Sequence, residues 1–296
     1  MQAEFRPYQQ KGFQWVYSLY QSKFGVCLAD DMGLGKTIQT LAVILKMNER
    51  SNGITDPPKQ LDLSGTQPTD DEPVINNGAG LIIMPTSLIH NWVNEINKFA
   101  PELKFLCYTG SNREKKTDEF DKYDVILTSY GVLRNDIDIL HNYFFEFIIL
   151  DESQVIKNPS SKIYQSVIEL NTKFKMVLTG TPIENSLLDL WAQLNFINPG
   201  LLGSQEFFKK EFAEPIERNK SAEETRSKQE RLQKLISPFI LRRTKQQVLD
   251  DLPDLTESVQ YCEMHEEQLK FYEEEKAKYE MHCLTAWIMM MLLLLT

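Results

Sequence analysis

The run Asp30-Asp31-Met32-Gly33-Leu34-Gly35-Lys36-Thr37 places a lysine and a hydroxyl directly after a glycine-rich turn. Glycine at 33 and 35 frees the backbone to aim its N–H groups at one point, and a polyphosphate is the ligand that suits such a convergence. Lys36 supplies a point charge to the outer phosphates, and the Thr37 hydroxyl is placed to hold a Mg²⁺ ion that bridges them. Together with the backbone of Asp31, Met32, Gly33, Leu34 and Gly35, these residues form a candidate nucleotide-binding loop. It departs from the strict phosphate-loop pattern at Asp30, where a glycine is usual.

Two further stretches carry chemistry. Asp151-Glu152 ends the apolar run Phe145 to Leu150, so that a buried strand delivers two carboxylates at its C-terminal end, where open α/β sheets bind ligands. The pair suits hydrolysis of a nucleoside triphosphate: Asp151 holds the Mg²⁺, and Glu152 orients and deprotonates the attacking water. Thr179-Gly180-Thr181-Pro182 follows another apolar run, Met176 to Leu178. This turn either connects strand to helix or uses its hydroxyls to sense the terminal phosphate and pass that state on.

The elements that must position these groups alternate along the chain. Apolar runs at Phe24 to Ala29, Leu81 to Met84, Leu103 to Tyr108, Val125 to Thr128, Phe145 to Leu150 and Met176 to Leu178 read as strands. Between them lie segments with helical spacing: one opened by Thr37, one carrying Leu88, Ile89, Trp92, Val93, Ile96 and Phe99 after a Pro85-Thr86-Ser87 cap, then Val132 to Leu140 and Ser161 to Leu170. Repeated strand–helix units predict an α/β fold, a parallel sheet with helices on both faces.

Ahead of the loop, Phe5-Arg6-Pro7-Tyr8-Gln9-Gln10 leads into a helical pattern through Phe13, Val16 and Leu19. Two uses of Gln9 are open: bidentate hydrogen bonds to an adenine, or packing of an N-terminal helix on the sheet. Residues 51–80, rich in Pro, Asp, Asn and Gly, read as an exposed, mobile insertion. From Ser186 the strand pattern stops, and helical segments form an annex whose charge runs are solvated faces. The unbroken apolar run Trp287 to Leu295 is too short for a bilayer, which takes about 20 residues, and it reads as a foreign or disordered tail.

Composition narrows the class. The 296 residues, 42% hydrophobic and 25% charged, describe an ordinary globular protein able to bury a core. A formal net charge of −10 opposes a surface that grips nucleic acid all over but leaves room for a local basic cleft. Cys27 and Cys107 fall in apolar strand patterns and read as core thiols in a reducing compartment. The spacing of Cys262, His265, His282 and Cys283 lacks the paired short repeats of a structural zinc site. Met1 to Arg6 carries no secretory signal pattern, so an intracellular protein is expected.

In order, these segments resemble the ATPase core of SWI/SNF-related DNA translocases in helicase superfamily two. The resemblance rests on Phe5-Arg6-Pro7-Tyr8-Gln9, Ala29 through Thr37, Pro85-Thr86-Ser87-Leu88 with Asn91-Trp92, Leu127-Thr128-Ser129-Tyr130, Asp151-Glu152-Ser153-Gln154 with Lys157-Asn158, Leu178 through Asn185, and Phe239 through Lys245. It implies a RecA-like phosphate-loop NTPase lobe over residues 1–200 and a helical protrusion over 201–280; residues 281–296 lie beyond the resemblance and read as a non-native or disordered tail. It also implies an ATP hydrolase using ATP and Mg²⁺, with Gln9 reading adenine, Lys36 and Thr37 on phosphate and metal, and Asp151 and Glu152 on metal and water. Thr179, Gly180 and Thr181, with Gln154, become the coupling turn. Thr86, Trp92, Ser129 and Tyr130 fall along the backbone of duplex DNA, and Arg242, Arg243 and Lys245 offer a basic contact or a solvated cap.

Two departures stand out. Gln154 replaces the usual histidine of Asp-Glu-x-His, although a glutamine can still hydrogen-bond to the coupling turn. Nothing after Tyr279 resembles the family's second RecA-like lobe, whose arginines complete the site. The expectation is therefore the first lobe of a DNA-dependent motor that remodels an unnamed protein–DNA complex, without a membrane. An RNA-directed helicase and a non-catalytic, ATP-responsive scaffold are the alternatives.

Overall fold

The computed structural model describes residues 4–51, 78–111, 113–182, 186–218, 222–248 and 260–293. The chain forms two compact units, Met1–Asp250 and Asp251–Thr296.

In the first unit the apolar runs form a parallel sheet: β1 (Val26–Leu28), β2 (Gly80–Met84), β3 (Phe105–Cys107), β4 (Val125–Ser129), β5 (Phe144–Leu150), β6 (Asn171–Leu178) and β7 (Ile240–Leu241), in the order β3-β4-β2-β5-β6-β1-β7. Val26-Cys27-Leu28 and Gly80 to Met84 are buried throughout, as strands covered on both faces must be. Successive side chains therefore enter opposite cores. Leu81 and Ile83 join one with Ile126, Phe145 and Leu150; Ile82 and Met84 join the other with Leu127, Ile149 and Met176.

The second core is closed by α1 (Pro7–Gln21), α2 (Lys36–Ser51) and α3 (Ile89–Phe99), through Val16, Leu41, Ile44, Trp92 and Ile96. The first core is closed by α4 (Tyr130–Asn135), α5 (Ile137–Leu140), α6 (Lys162–Glu169) and α7 (Leu187–Ile197). Hydroxyl caps set two of these helices. Ser129 Oγ accepts from Val132 N–H, and Ser161 Oγ accepts from Tyr164 N–H.

The first unit holds residues 1–200 together with the start of the segment expected as a helical protrusion, through Asp250. The annex comprises α8 (Gln205–Phe208), a π-helical turn (Lys209–Ala213), α9 (Glu214–Arg218) and α10 (Ala222–Ile236). It buries Phe208, Phe212 and Leu232 in the first core instead of forming its own. The chain then returns as β7, a strand the sequence did not reveal, because two residues are too few to show a period. β7 pairs parallel with β1 through Cys27 N–H to Phe239 O at 2.8 Å and Ala29 N–H to Leu241 O at 2.7 Å, and is followed by α11 (Lys245–Val248).

In the second unit, α12 (Glu266–Leu293) runs into the stretch expected to be a non-native or disordered tail. The physical reason is that residues 266–293 contain neither glycine nor proline to stop it. Residues 294–296, and 52–77 of the expected insertion, lie outside the described residues. Among the described residues no helix is long and apolar enough to cross a membrane. Cys27 is buried, and burial pushes its thiol up to about 12, which makes it inert as a nucleophile.

Candidate active site

Parallel pairing decides where the three stretches meet. Leu28 pairs with Leu178, and Leu150 with Val177, so the phosphate loop, the Asp-Glu pair and the Thr-Gly-Thr-Pro turn leave the same edge of the sheet. Backbone bonds continue past the strand ends: Thr179 N–H donates to Leu28 O at 3.2 Å, and Asp151 N–H to Ile83 O at 2.8 Å.

In the phosphate loop Gly33 and Gly35 take φ of 86° and 78°, the left-handed region that glycine enters without cost. Lys36 Nζ donates to Asp30 O at 2.7 Å. Burial lowers the Lys36 pKa, while the charges of Glu152, Asp151, Asp30 and Asp31 pull it back up. The ammonium is thus within electrostatic range of both members of the acidic pair, although 115 residues of sequence separate Lys36 from Asp151.

Asp151 is buried. Trp92 Nε1 donates to its Oδ2 at 2.8 Å, Glu152 N–H donates to its Oδ1 at 2.9 Å, and Tyr130 Oη donates to its backbone O at 2.8 Å. Burial raises the Asp151 pKa; the indole and amide donors and Lys36 oppose that rise, and the Glu152 charge adds to it. Glu152 itself has φ of 49°, uncommon for a residue with a side chain, and strain of this kind concentrates at functional sites.

Glu152 connects to the Thr179-Gly180-Thr181 turn. Gln154 Nε2 donates to Glu152 Oε2 at 2.8 Å, Thr179 Oγ1 donates to Gln154 Oε1 at 3.4 Å, and Thr181 N–H donates to Thr179 Oγ1 at 3.1 Å. A glutamine in place of histidine thus keeps the link, because its amide offers a donor and an acceptor at once. A second, buried link runs in parallel: Ser153 Oγ donates to Gln193 Oε1 at 2.7 Å, and Gln193 Nε2 donates to Pro182 O at 2.8 Å.

Not every residue singled out in the sequence faces outward as expected. Trp92 and Tyr130 are buried, and their polar atoms serve Asp151, so neither side chain lies open to a DNA backbone. The physical reason is that a buried indole N–H or phenol O–H must find an acceptor, and the nearest belong to Asp151. Ser129 is buried and its hydroxyl caps α4; of the four, Thr86 is exposed. Gln9 takes the packing role: its Oε1 accepts from Arg6 N–H at 3.0 Å, and its Nε2 donates to Leu34 O at 3.2 Å, pinning α1 to the phosphate loop. Arg243, expected at the surface, is instead paired with the fully buried Asp30.

Glu95, which belongs to no motif in the sequence, also stands at this edge. It lies one turn beyond Trp92 on α3, half-buried; burial raises its carboxyl pKa, the Thr37 hydroxyl's hydrogen bond lowers it, and the Asp151 charge raises it. The helical spacing from Trp92 was the available signal, since residues three apart share a face. Asp30 with Arg243 and Ser153 with Gln193 had none.

A Cβ on Gly35 would stand 2.6 Å from Gln9 Nε2 and 3.0 Å from Ile38 Cγ2. Gly35→Ala is therefore expected to break the Gln9 tie, cost ~1–2 kcal/mol for the left-handed backbone, and weaken ATP binding at least tenfold. Thermal melting and ATP titration check it; an unchanged melting temperature and affinity would refute the crowding argument.

The SNF2-related domain model matches residues 8–291. The chain belongs to the SNF2-related family. Its similarity to BTAF1, a TATA-binding protein-associated factor of Arabidopsis thaliana, is 35% identity over 285 residues, 93% of this chain and 13% of that protein. With YwqA of Bacillus subtilis, a putative ATP-dependent helicase/translocase, it is 39% over 274 residues, 91% of this chain and 27% of that protein. The Sulfolobus solfataricus SWI2/SNF2 ATPase core in complex with dsDNA superposes with a TM-score of 0.70 at 41% identity, covering 93% of this chain and 52% of that one. The SNF2-related chain thus spans about half the length of that solved core and a smaller share of these curated relatives. It has the RecA-like fold of the N-terminal lobe in SNF2-type members of helicase superfamily two.

Proposed function

We propose that this SNF2-related lobe binds ATP at the sheet edge and, with a second RecA-like lobe, hydrolyses it to move along duplex DNA and remodel protein–DNA complexes inside the cell. The observation that carries the reading is the register of Leu28 with Leu178 and Leu150 with Val177, which brings the Lys36 loop, the Asp151–Glu152 pair and Thr179 to one sheet edge, with Glu152 hydrogen-bonded through Gln154 to Thr179. Similarity to a SWI2/SNF2 core solved with dsDNA supports duplex DNA as the track.

The donors present fit Mg²⁺. Thr37 and Asp151 offer oxygens, and among the described residues no cluster of three or more His, Cys, Asp or Glu forms a protein cage. Mg²⁺ characteristically keeps waters and substrate oxygens beside one or two protein ligands, and when bound it neutralises charge on the phosphates. Lys36 and the loop amides bind and orient the polyphosphate, and Glu152 is the base for the attacking water. Gln154 relays the position of Glu152 to Thr179 and Thr181. Gln9, which ties α1 to the loop through Leu34 O, is assigned a second role as the residue that reads the adenine when ATP binds. DNA contact is assigned to Thr86, whose segment follows β2 at this edge, with the Ser129 segment beside it; phosphate contacts of this kind position a duplex without reading its sequence.

The test is ATP turnover by the whole protein with duplex DNA, duplex RNA or neither. Duplex DNA is expected to stimulate turnover, and Lys36→Ala to abolish it. Preference for RNA would move the assignment to an RNA-directed helicase, and turnover unaffected by Lys36→Ala would favour the scaffold alternative.

A further inference from the structure

The segment that brings the annex back to the sheet ends against the phosphate loop. After β7, Asp31 N–H donates to Arg243 O at 3.0 Å and Lys245 N–H donates to Asp31 Oδ2 at 3.0 Å, so residues 243–245 are bonded at both ends to the loop. Between these bonds the Arg243 guanidinium turns inward. Its Nε donates to Asp30 Oδ1 at 2.9 Å and its Nη2 to Gln39 Oε1 at 2.9 Å; Nη2 also donates to Asp30 Oδ2 and Nη1 to Tyr8 O, with the Tyr8 ring 5.2 Å from the guanidinium carbon. Gln39 in turn donates to Gly35 O at 3.2 Å, and Tyr8 Oη to Leu34 O at 3.2 Å. One arginine thus holds the loop's entry, the helix after it and the N-terminal helix together.

The Lys245 side chain goes the other way, over the loop. A Cβ built on Gly33 would stand 3.7 Å from Lys245 Cε and 3.9 Å from its Nζ. The residue is exposed, and its carboxylate neighbour Asp31 is engaged by the Lys245 backbone N–H. An ammonium on a flexible stem, this near the position a side chain on Gly33 would occupy, is within reach of whatever anion the loop holds.

We propose that Arg243–Lys245 is a further part of the nucleotide site, in which Lys245 contacts the polyphosphate of the bound nucleotide and Arg243 is the positioning residue that places it. This rests on the assignment of the loop to ATP. It gives the annex a direct connection to the nucleotide that does not pass through the coupling turn. It also accounts for a two-residue strand at the sheet edge: β7 sets the register that puts residue 245 beside Gly33.

The experiment is calorimetric titration of the chain with ATP, ADP and adenosine. Loss of one charge-assisted contact predicts that Lys245→Gln weakens ATP and ADP about tenfold, leaves adenosine unchanged, and is rescued to within about threefold by Lys245→Arg. If Arg243 places Lys245, the Lys245→Gln effect shrinks below about threefold in an Arg243→Lys background, which a merely structural arginine would not cause. Normal ATP affinity in Lys245→Gln, with Lys36→Ala weakened, overturns this proposal and leaves the ATP assignment standing. Failure of the unmodified chain to bind ATP, or an unaffected Lys36→Ala, overturns both.

Discussion

Glu152→Gln is expected to lower ATP turnover by the whole protein about 10²–10⁴-fold, the usual contribution of a positioned general base, while ATP affinity stays within about threefold. The substitution keeps the length of the side chain, and its amide oxygen can still accept from Gln154 Nε2 at the position now 2.8 Å away. It removes the basicity alone. Asp151, Lys36 and the loop are untouched, so the nucleotide is still held. Single-turnover kinetics with a parallel binding titration separate the two effects. Turnover within tenfold of the unmodified protein would mean that another group activates the water, and Glu95, beside Thr37 and Asp151, becomes the residue to replace next.

Arg243→Ala should destabilise the first unit by ~3–5 kcal/mol, because it strands a buried carboxylate. Asp30 is fully buried, and without the guanidinium its remaining side-chain partner among the described residues is Gln39 Nε2 at 3.4 Å. That is too little to offset the desolvation of a charge. For a unit of this size the melting temperature should fall by about 10 °C. A companion variant decides the cause. Replacing both partners, Asp30→Leu with Arg243→Met, removes the buried charge along with its mate and should recover most of the loss. A single variant that melts within about 2 °C of the original would show that the pair contributes little.

Legibility followed the range over which each signal acts. The six longer strands could be read because each is a local apolar run, and β6 only appeared shorter in sequence because Lys173 and Lys175 interrupt it. The placement of Lys36 at a helix start and of Asp151-Glu152 at a strand end was legible for the same reason, since adjacent residues set both. Trp92 and Tyr130 misled because an aromatic with one polar atom looks alike in sequence whether that atom meets a phosphate or a buried carboxylate. The helix through Leu293 was missed because an apolar run without a period gives no face to assign, although nothing in it breaks a helix.

What the order of residues determined by itself was the set of local elements and their polarity: glycines that permit left-handed turns, a lysine and hydroxyl at a helix start, carboxylates at a strand end. Those depend on neighbours a few positions apart, and propensity and periodicity report them. What only the tertiary structure decided was which of these groups meet. Pairing Leu28 with Leu178 brings Thr179 beside the phosphate loop, and pairing Cys27 with Ile240 delivers Arg243 to Asp30 across 213 residues. The selection of partners at such separations comes from closing a twisted sheet over two apolar cores at once, and no single stretch of the chain encodes that closure.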